Sequence, residues 1–250
     1  MHVRRVASVR NGALAVVISG ALFPLPLLSA AQHEPGPAPP GQVPVLLVPG
    51  WGDTASDLLP LRDSLTGSGW PGDHVSALTF SDAFASNREH AAEIDEEITR
   101  LLEQTGEDQV DIVAHSMGGL AVRLVLASDT QQRVRRVVFL ATPHRGTVMA
   151  LFGWGDGATE MVPGSEFLER LNKVSPPQDA PEILALRSPL DLVVIPSDSA
   201  ILPGARNEEV CCPTHQGLLT DGEAFRRIRA FLTATDEVSL RPGALRRRAP

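Results

Sequence analysis

The chain lacks the features that mark several specialised classes of protein. Its 250 residues include only two cysteines, so no disulfide framework of the kind found in small secreted domains can form. No internal repeat, zinc-ligand spacing or phosphate-binding loop occurs, and the basic residues form no stripe along the chain. These absences exclude a repeat architecture and argue against nucleic acid as a partner.

The two cysteines, Cys211 and Cys212, are adjacent and fall near the end of a predicted strand. Neighbouring side chains on a strand point to opposite faces, so a disulfide between them would be strained. The sequence leaves two alternatives open at this point. The pair carries either two free or oxidised thiols or a disulfide between neighbours.

The first 31 residues have the pattern of a secretory signal peptide. Three arginines precede an apolar stretch from 13 to 28, and the small residues Ser29 and Ala31 follow it. The stretch is short for a membrane span and two prolines interrupt it, which favours cleavage after Ala31 over an uncleaved anchor. We therefore expect a secreted protein with no stable membrane insertion once the signal is removed.

The remaining sequence predicts one domain with short flanking segments. Residues 32–42 are a Pro/Gly-rich linker, residues 43–235 form the domain, and residues 236–250 are a basic, flexible tail. Removing the three signal arginines from a net charge of −8 leaves −11 on the same count. An acidic mature chain again argues against binding to nucleic acid.

Strand and helix patterns alternate through the domain. Alternation of this kind builds a mostly parallel sheet with helices on both faces, and ligands then bind at the carboxyl ends of the strands. The predicted strands are 43–48, 75–80, 110–113, 134–140, 182–187 and 207–211. The predicted helices are 57–68, 87–105, a helix after residue 117, and 222–233.

Residues 110–125 read VDIVAHSMGGLAVRLV and place Ser116 on a turn between a strand and a helix. Ala114 stands two residues before Ser116 and Gly118 two residues after it, so the backbone can bend sharply. Such a turn lifts the hydroxyl above the edge of the sheet. The short pattern arises by chance in many chains, but a strand, a turn and a helix in register favour a nucleophile.

A serine nucleophile needs a base, and His215 is the predicted one. It lies in a loop directly after the last predicted strand, where it can reach the same edge of the sheet as Ser116. The other histidines fit this role less well. We expect His74 and His90 on exposed surface elements and His144 beside the cleft without acting as the base.

The acid that orients the base should fall between the nucleophile and the base in chain order. Asp191 and Asp198 both do so. Asp191 is preferred because it follows the carboxyl end of the strand 182–187 directly.

Two further features complete the predicted site. The backbone N–H groups of Met117 and Trp51 are the predicted oxyanion-hole donors, although the Trp51 loop also fits a plain tight turn. An insertion at about 146–180 contains Phe152, Trp154 and Met161. We expect it to be a cap that lines an apolar substrate cleft, with a satellite hydrophobic cluster under a long loop as the alternative.

With these residues in place, the sequence resembles the α/β-hydrolase superfamily, and most of all its small secreted bacterial lipases and esterases (class 2 lipase-like). The matching segments are VLLVPGWGD, VDIVAHSMGG, VVFLATPHRGT, EMVPGSEFLERLN, SPLDLVVIPSDSAIL, GARN and THQGLL. The resemblance implies that Ser116 is the nucleophile, Asp191 the acid and His215 the base, with Trp51 and Met117 as oxyanion donors. It also implies the minimal fold of about six strands, since few mature residues precede the first strand.

One departure concerns the oxyanion loop, where Pro49 replaces the histidine that often precedes the loop glycine. The expected function is hydrolysis of carboxylic esters with apolar acyl chains through an acyl-enzyme, on a lipid or small ester substrate. This chemistry requires no metal or cofactor, and we expect a monomer. The alternatives are an acyltransferase, a thioesterase, a polyester depolymerase, or a non-catalytic binding protein of the same fold.

Overall fold

The computed structural model describes residues 42–174 and 180–234. They contain a six-stranded sheet in the order β2-β1-β3-β4-β5-β6, and every neighbouring pair is parallel. The strands are β1 Val45–Val48, β2 Val75–Ala77, β3 Val110–His115, β4 Val134–Leu140, β5 Glu182–Arg187 and β6 Arg206–Glu209. The predicted α/β fold with about six mostly parallel strands is confirmed.

The order of the strands reverses between β1 and β3. From β1 the chain first runs outward to β2, then returns to β3 and continues to β6 at the other edge. A crevice forms at such a point, outside the carboxyl ends of the two strands, and it is the usual ligand site of open α/β sheets. The loops after β1 and β3 therefore have the position expected of a functional site.

Helices connect the strands and cover both faces of the sheet. They are α1 Leu59–Thr66, α2 Asn87–Thr105, α3 Gly118–Ser128, α4 Gly155–Glu160, α5 Glu166–Leu171 and α6 Gly222–Leu232. The bounds of α2, β4 and β5 agree with those predicted from the sequence.

The core has two layers because alternate strand residues point to opposite faces. On one face, Val45 and Leu47 of β1 belong to a buried cluster with residues of α1 and α6. On the other face, Leu46 and Val48 belong to a second cluster with residues of α2 and α3. A strand buried on both faces reads as a continuous apolar run, as VLLV does here.

The two edge strands are shorter than predicted. β2 ends at Ala77, and the Leu78 N–H still donates to the Leu47 carbonyl of β1 at 3.0 Å. Beyond it the chain leaves the sheet, and the Ser81 N–H donates to Glu93 of α2 at 2.9 Å. At the other edge β6 ends at Glu209, so the cysteines come after the strand, in a bend. The structure joins Cys211 and Cys212 by a disulfide, one of the two alternatives that the sequence left open.

The expectation that His90 lies on an exposed surface is wrong, and His74 is only partly exposed. His90 is fully buried, its ring stacks on Phe80 with 3.8 Å between centroids, and its Nε2 donates to the Asp82 carbonyl at 2.8 Å. The cause is the loop before α2, which folds back over the first turn of the helix.

The insertion after β4 contains short helices that pack against α3. They are a 3-10 helix at Val148–Phe152 together with α4 and α5. A third buried cluster holds this segment to the start of α3, and it consists of Met117, Leu120, Ala150, Met161, Leu168 and Leu171.

Several predicted segments lie outside the described residues: the signal peptide at 1–31, most of the linker at 32–42, the tail at 236–250, and residues 175–179 of the insertion. In the part of the chain that is described, no helix combines the length and the apolar character needed to cross a membrane.

Candidate active site

Ser116 lies on the turn that joins β3 to α3. Its φ is 51°, in the left-handed region that residues other than glycine rarely adopt. The two glycines that follow allow this tight turn. A Cβ on Gly118 would overlap the carbonyl oxygen of Pro49, and one on Gly119 would lie 2.8 Å from Cδ1 of Phe139. The start of α3 can therefore approach β1 and β4 closely.

Asp191 and His215 are brought together by the loops after β5 and β6. The Nδ1–H of His215 donates to Oδ2 of Asp191 at 2.7 Å, and both residues are 5% exposed. The other oxygen of Asp191 accepts the backbone N–H groups of Val193 and Val194, each at 2.8 Å. The backbone of its own loop thus holds the carboxylate of Asp191 in the position from which it orients the imidazole.

His215 lies against the turn that carries Ser116. Its ring centroid is 4.7 Å from that of His115, the residue immediately before Ser116. Ser116 itself is 7% exposed, and among residues 42–174 and 180–234 its hydroxyl has no hydrogen-bond partner. In unliganded active sites the bond from nucleophile to base is often long and tightens only when substrate binds.

The pKa of Asp191 is lower than its usual value. Burial alone raises the pKa, but the hydrogen bond from His215, the charge of that imidazole and the two backbone N–H groups outweigh it. Asp191 therefore stays ionised at neutral pH and can hold the proton of His215 on Nδ1.

A second histidine–aspartate pair, which was not predicted from the sequence, lies beside the first. The Nδ1–H of His115 donates to Oδ2 of Asp53 at 3.0 Å. The other oxygen of Asp53 accepts from the side-chain amide of Gln216 at 2.9 Å. Asp53 therefore connects the loop after β1 with the turn of Ser116 and with the residue next to His215.

Burial also raises the pKa of Asp53, but hydrogen bonds from His115 and Gln216 and the charge of His115 bring it below its usual value. The pKa of His115 is lowered, chiefly by burial. Asp53 is thus the ionised member of this pair at neutral pH, and His115 is a neutral donor.

The predicted oxyanion donors lie in the loops after β1 and β3. Asp53 N–H donates to the Gly50 carbonyl at 3.2 Å and closes a turn around Trp51. A Cβ on Gly50 would lie 3.0 Å from Cβ of Ser116, so this turn passes directly beside the serine. Within the described residues, the backbone N–H groups of Trp51 and Met117 have no acceptor. Both remain available to an oxyanion.

An aromatic cluster stands over this edge of the sheet. Trp51 packs edge-on against Phe84 at 4.9 Å and against Trp154 at 4.6 Å between centroids, and its indole N–H donates to the Trp154 carbonyl. Trp154 is 62% exposed and Phe152 79% exposed. The insertion therefore presents aromatic surface beside the predicted oxyanion loop. Phe84 belongs to this cluster but was not among the predicted residues.

Met161 has a different environment from Phe152 and Trp154. It is 6% exposed and belongs to the buried cluster that holds the insertion to α3. Its carbonyl accepts the N–H of Thr147, which ties the two ends of this segment together. In this structure Met161 packs inside the insertion, as the alternative of a satellite hydrophobic cluster describes.

Two residues that were weighed for catalytic roles stand apart from the triad. Asp198 is 63% exposed and forms an ion pair with Arg187 at 3.3 Å. His144 is buried after β4 and lines a cavity that none of Ser116, Asp191 and His215 lines.

Comparisons with known proteins agree with this architecture. The sequence profile described as "alpha/beta hydrolase fold" matches residues 43–161, which include the turn with Ser116. The chain has the α/β-hydrolase fold. Asp191 and His215 follow the matched region, so their assignment depends on the geometry above.

Solved structures similar to this chain include lipases. The mature lipase of Bacillus licheniformis is 15% identical, with a TM-score of 0.68 over 79% of this chain and 94% of that one. Aspergillus fumigatus lipase B is 20% identical, with a TM-score of 0.67 over 80% of this chain and 54% of that one. A gene product of Listeria innocua is 18% identical, with a TM-score of 0.62 over 78% and 95%. At these identities the likeness establishes the shared fold.

Proposed function

We propose that this α/β-hydrolase is a serine ester hydrolase that uses Ser116, His215 and Asp191. The observation that carries the proposal is the 2.7 Å hydrogen bond from His215 to Asp191 beside the left-handed turn of Ser116. A serine hydroxyl is a weak nucleophile at neutral pH, and it gains reactivity from a base that a third group orients. The chain order of serine, aspartate and histidine also fits this fold.

In the proposed reaction, Oγ of Ser116 attacks the ester carbonyl while Nε2 of His215 takes its proton. Asp191 holds the imidazole in the tautomer with Nδ1 protonated and stabilises the cation that forms. The N–H groups of Trp51 and Met117 donate to the developing oxyanion. His215 returns the proton to the departing alcohol, and water then cleaves the acyl-enzyme by the same route.

The proposed substrates are esters with apolar acyl chains. The exposed rings of Phe152 and Trp154 support this proposal, because they offer apolar surface beside the oxyanion loop. The lipases among the similar structures are consistent with it. We also propose that the protein is secreted, on the basis of the N-terminal pattern at 1–31.

The proposal is tested with p-nitrophenyl esters from acetate to palmitate and with emulsified triglyceride. We expect hydrolysis that Ser116→Ala abolishes, while Ser68→Ala, in the turn after α1, retains full activity. Unchanged ester hydrolysis in Ser116→Ala would refute the assignment. Faster turnover with an added alcohol acceptor, a thioester or a polyester film would identify an acyltransferase, a thioesterase or a polyester depolymerase on the same triad.

A further inference from the structure

A cavity of about 1100 Å³ lies on a part of the molecule that the proposed ester hydrolysis does not use. Its walls come from α3, the end of α5, the starts of β5 and β6, and α6. Ligand sites for small molecules commonly have volumes of about 300 to 1,000 Å³, so this space can hold a sizeable ligand.

Most of the wall is apolar. The side chains of Leu126, Leu171, Ile183, Ile201 and Leu202 contribute to it, with alanines and prolines between them. Such a wall favours the apolar body of a ligand and offers little to a small hydrated ion.

The charged residues around the cavity are mostly cationic, although the chain as a whole has a net charge of −8. The cations are Arg123, Arg145, Lys173, Arg206, Arg226 and Arg227, and the acid is Glu182. The three arginines of β6 and α6 form ion pairs with Glu208 and Glu223. Arg123, Arg145 and Lys173 have no carboxylate partner in the described part of the chain.

Arg123 extends from α3 into this space. One terminal nitrogen donates to the Leu171 carbonyl at 3.2 Å, whereas the other, Nη1, is buried and has no partner among the described residues. Burial lowers the pKa of Arg123 to about 10, which still leaves the guanidinium charged at neutral pH. Buried charges in proteins are normally paired with an opposite charge. An anion in the cavity would supply the partner that the Arg123 guanidinium lacks.

His144 provides a second unpaired polar group at the same place. It is 1% exposed, and within residues 42–174 and 180–234 neither ring nitrogen has a hydrogen-bond partner. The ring packs edge-on against Phe139, and Asn172 donates to the His144 carbonyl at 3.0 Å, so its position is fixed. Burial, then the charges of Arg123 and Arg145, lower its pKa, and a neutral imidazole has one N–H to donate.

We propose that this cavity binds the anion of a long-chain fatty acid. Arg123 and His144 hold the carboxylate, and the acyl chain lies along Leu126, Ile183 and Ile201. The negative charge of the carboxylate complements the two unpaired donors. The volume of the cavity and its apolar walls accommodate the acyl chain. This site is separate from the triad, so the inference does not depend on the proposed ester hydrolysis.

The direct test is calorimetric titration of laurate into the Ser116→Ala protein at neutral pH. We expect saturable binding of one laurate that survives when a phosphonate inhibitor blocks Ser116 in the wild-type protein. Dodecanol lacks the charge and should bind at least about tenfold more weakly, since one charge-assisted hydrogen bond is worth that factor. Acetate lacks the chain and should also bind at least about tenfold more weakly, because it buries almost no apolar surface. Dodecyl phosphate serves to distinguish a carboxylate site from a phosphate site.

Three variants locate the site. Arg123→Met should weaken laurate binding at least about tenfold, while Arg88→Met on the exposed surface of α2 should leave it unchanged. Ala127→Trp, which fills the cavity from an exposed position of its wall, should abolish binding without disturbing the core. His144→Phe should weaken binding without lowering the melting temperature, because the imidazole nitrogens have no partner to lose.

The proposal is overturned if laurate does not bind, if binding disappears when Ser116 is blocked, or if Arg123→Met and Ala127→Trp both bind laurate like wild type. Tighter binding of dodecyl phosphate than of laurate would overturn the choice of a fatty acid. Should Arg123→Met fail to fold, the result with Ala127→Trp decides alone.

Discussion

At the scale of single residues, the orientation of His215 depends on the carboxylate of Asp191. Replacing Asp191 with asparagine keeps the size of the side chain but removes the charge that holds the Nδ1 proton. We expect kcat for ester hydrolysis to fall by about 10³- to 10⁴-fold with little change in KM. Asp198→Asn, at an exposed position, is the matched control and should retain full activity. If Asp198→Asn lost activity and Asp191→Asn retained it, Asp198 would be the acid.

A second prediction concerns the contribution of Asp53 to the stability of the folded protein. Asp53→Asn should lower the free energy of unfolding at pH 7 by about 1 to 3 kcal/mol, because a buried ionised acceptor for His115 and Gln216 is lost. The folded-state pKa of Asp53 lies below its unfolded value of about 3.9. Its stabilisation is therefore fully present above that value and disappears as the pH falls through the folded-state pKa.

Urea denaturation of wild type and Asp53→Asn at a series of pH values measures this difference. The difference should be constant from pH 7 to about 5 and shrink below about 4. Asp63→Asn on the exposed face of α1 provides the control. A difference that grows towards acid pH would contradict this role of Asp53.

Part of this residue network was predictable from the sequence. Ser116, Asp191 and His215 could be found because each follows a recognisable strand. The contacts of Asp53 join residues 62 and 163 positions apart in the chain, and no local pattern reveals them. His90 was predictable in principle, since it lies four residues before Ile94, on the buried face of α2.

At the scale of secondary-structure elements, the close approach of α3 to the sheet depends on its two first glycines. A methyl group at Gly119 would overlap Thr142 and come within 2.8 Å of Phe139, so Gly119→Ala should destabilise the fold by about 1 to 3 kcal/mol or more. Gly222→Ala, at the first position of α6 with no atom within 4 Å, should be neutral or stabilising by up to about 1 kcal/mol. Thermal unfolding of both variants measures the contrast. Equal stability of the two variants would contradict this packing.

The accuracy of the predicted elements follows their local signals. α2 was predicted correctly because its apolar period is regular, Ser86 and Glu89 form a capping box, and Gly106 ends it in the left-handed conformation. β4 and β5 are inner strands of the sheet, and each contains a continuous apolar run, at 137–140 and 183–186. The ends of the edge strands β2 and β6 depend on strand pairing and on side-chain contacts with distant parts of the chain. Local sequence patterns do not reveal these contacts. The short helices of the insertion have too few turns to show a period.

At the scale of the whole molecule, the proposal of secretion predicts a defined mature terminus. Expression of the full chain in a secreting host should release a protein that begins at Gln32, as measured by intact mass. Ala31→Arg should block cleavage, because a large charged residue replaces the small one before the cut, whereas Ala30→Leu should not. A released protein that still contains residues 1–31 would contradict the signal peptide.

Among residues 42–174 and 180–234, the molecule has two candidate sites. One lies at the switch point between β1 and β3 and contains Ser116. The other is the cavity with Arg123 and His144, between α3 and α6. The first follows from motifs in the sequence, while the second depends on packing between distant segments and emerges only from the fold.

Covalent labelling tests most directly whether Ser116 is the nucleophile. The purified protein is treated with a fluorophosphonate, digested, and analysed by mass spectrometry. We predict a single adduct on Ser116, absent from Ser116→Ala and strongly slowed in Asp191→Asn. A folded protein without an adduct, or one with the adduct on another serine, would contradict the account.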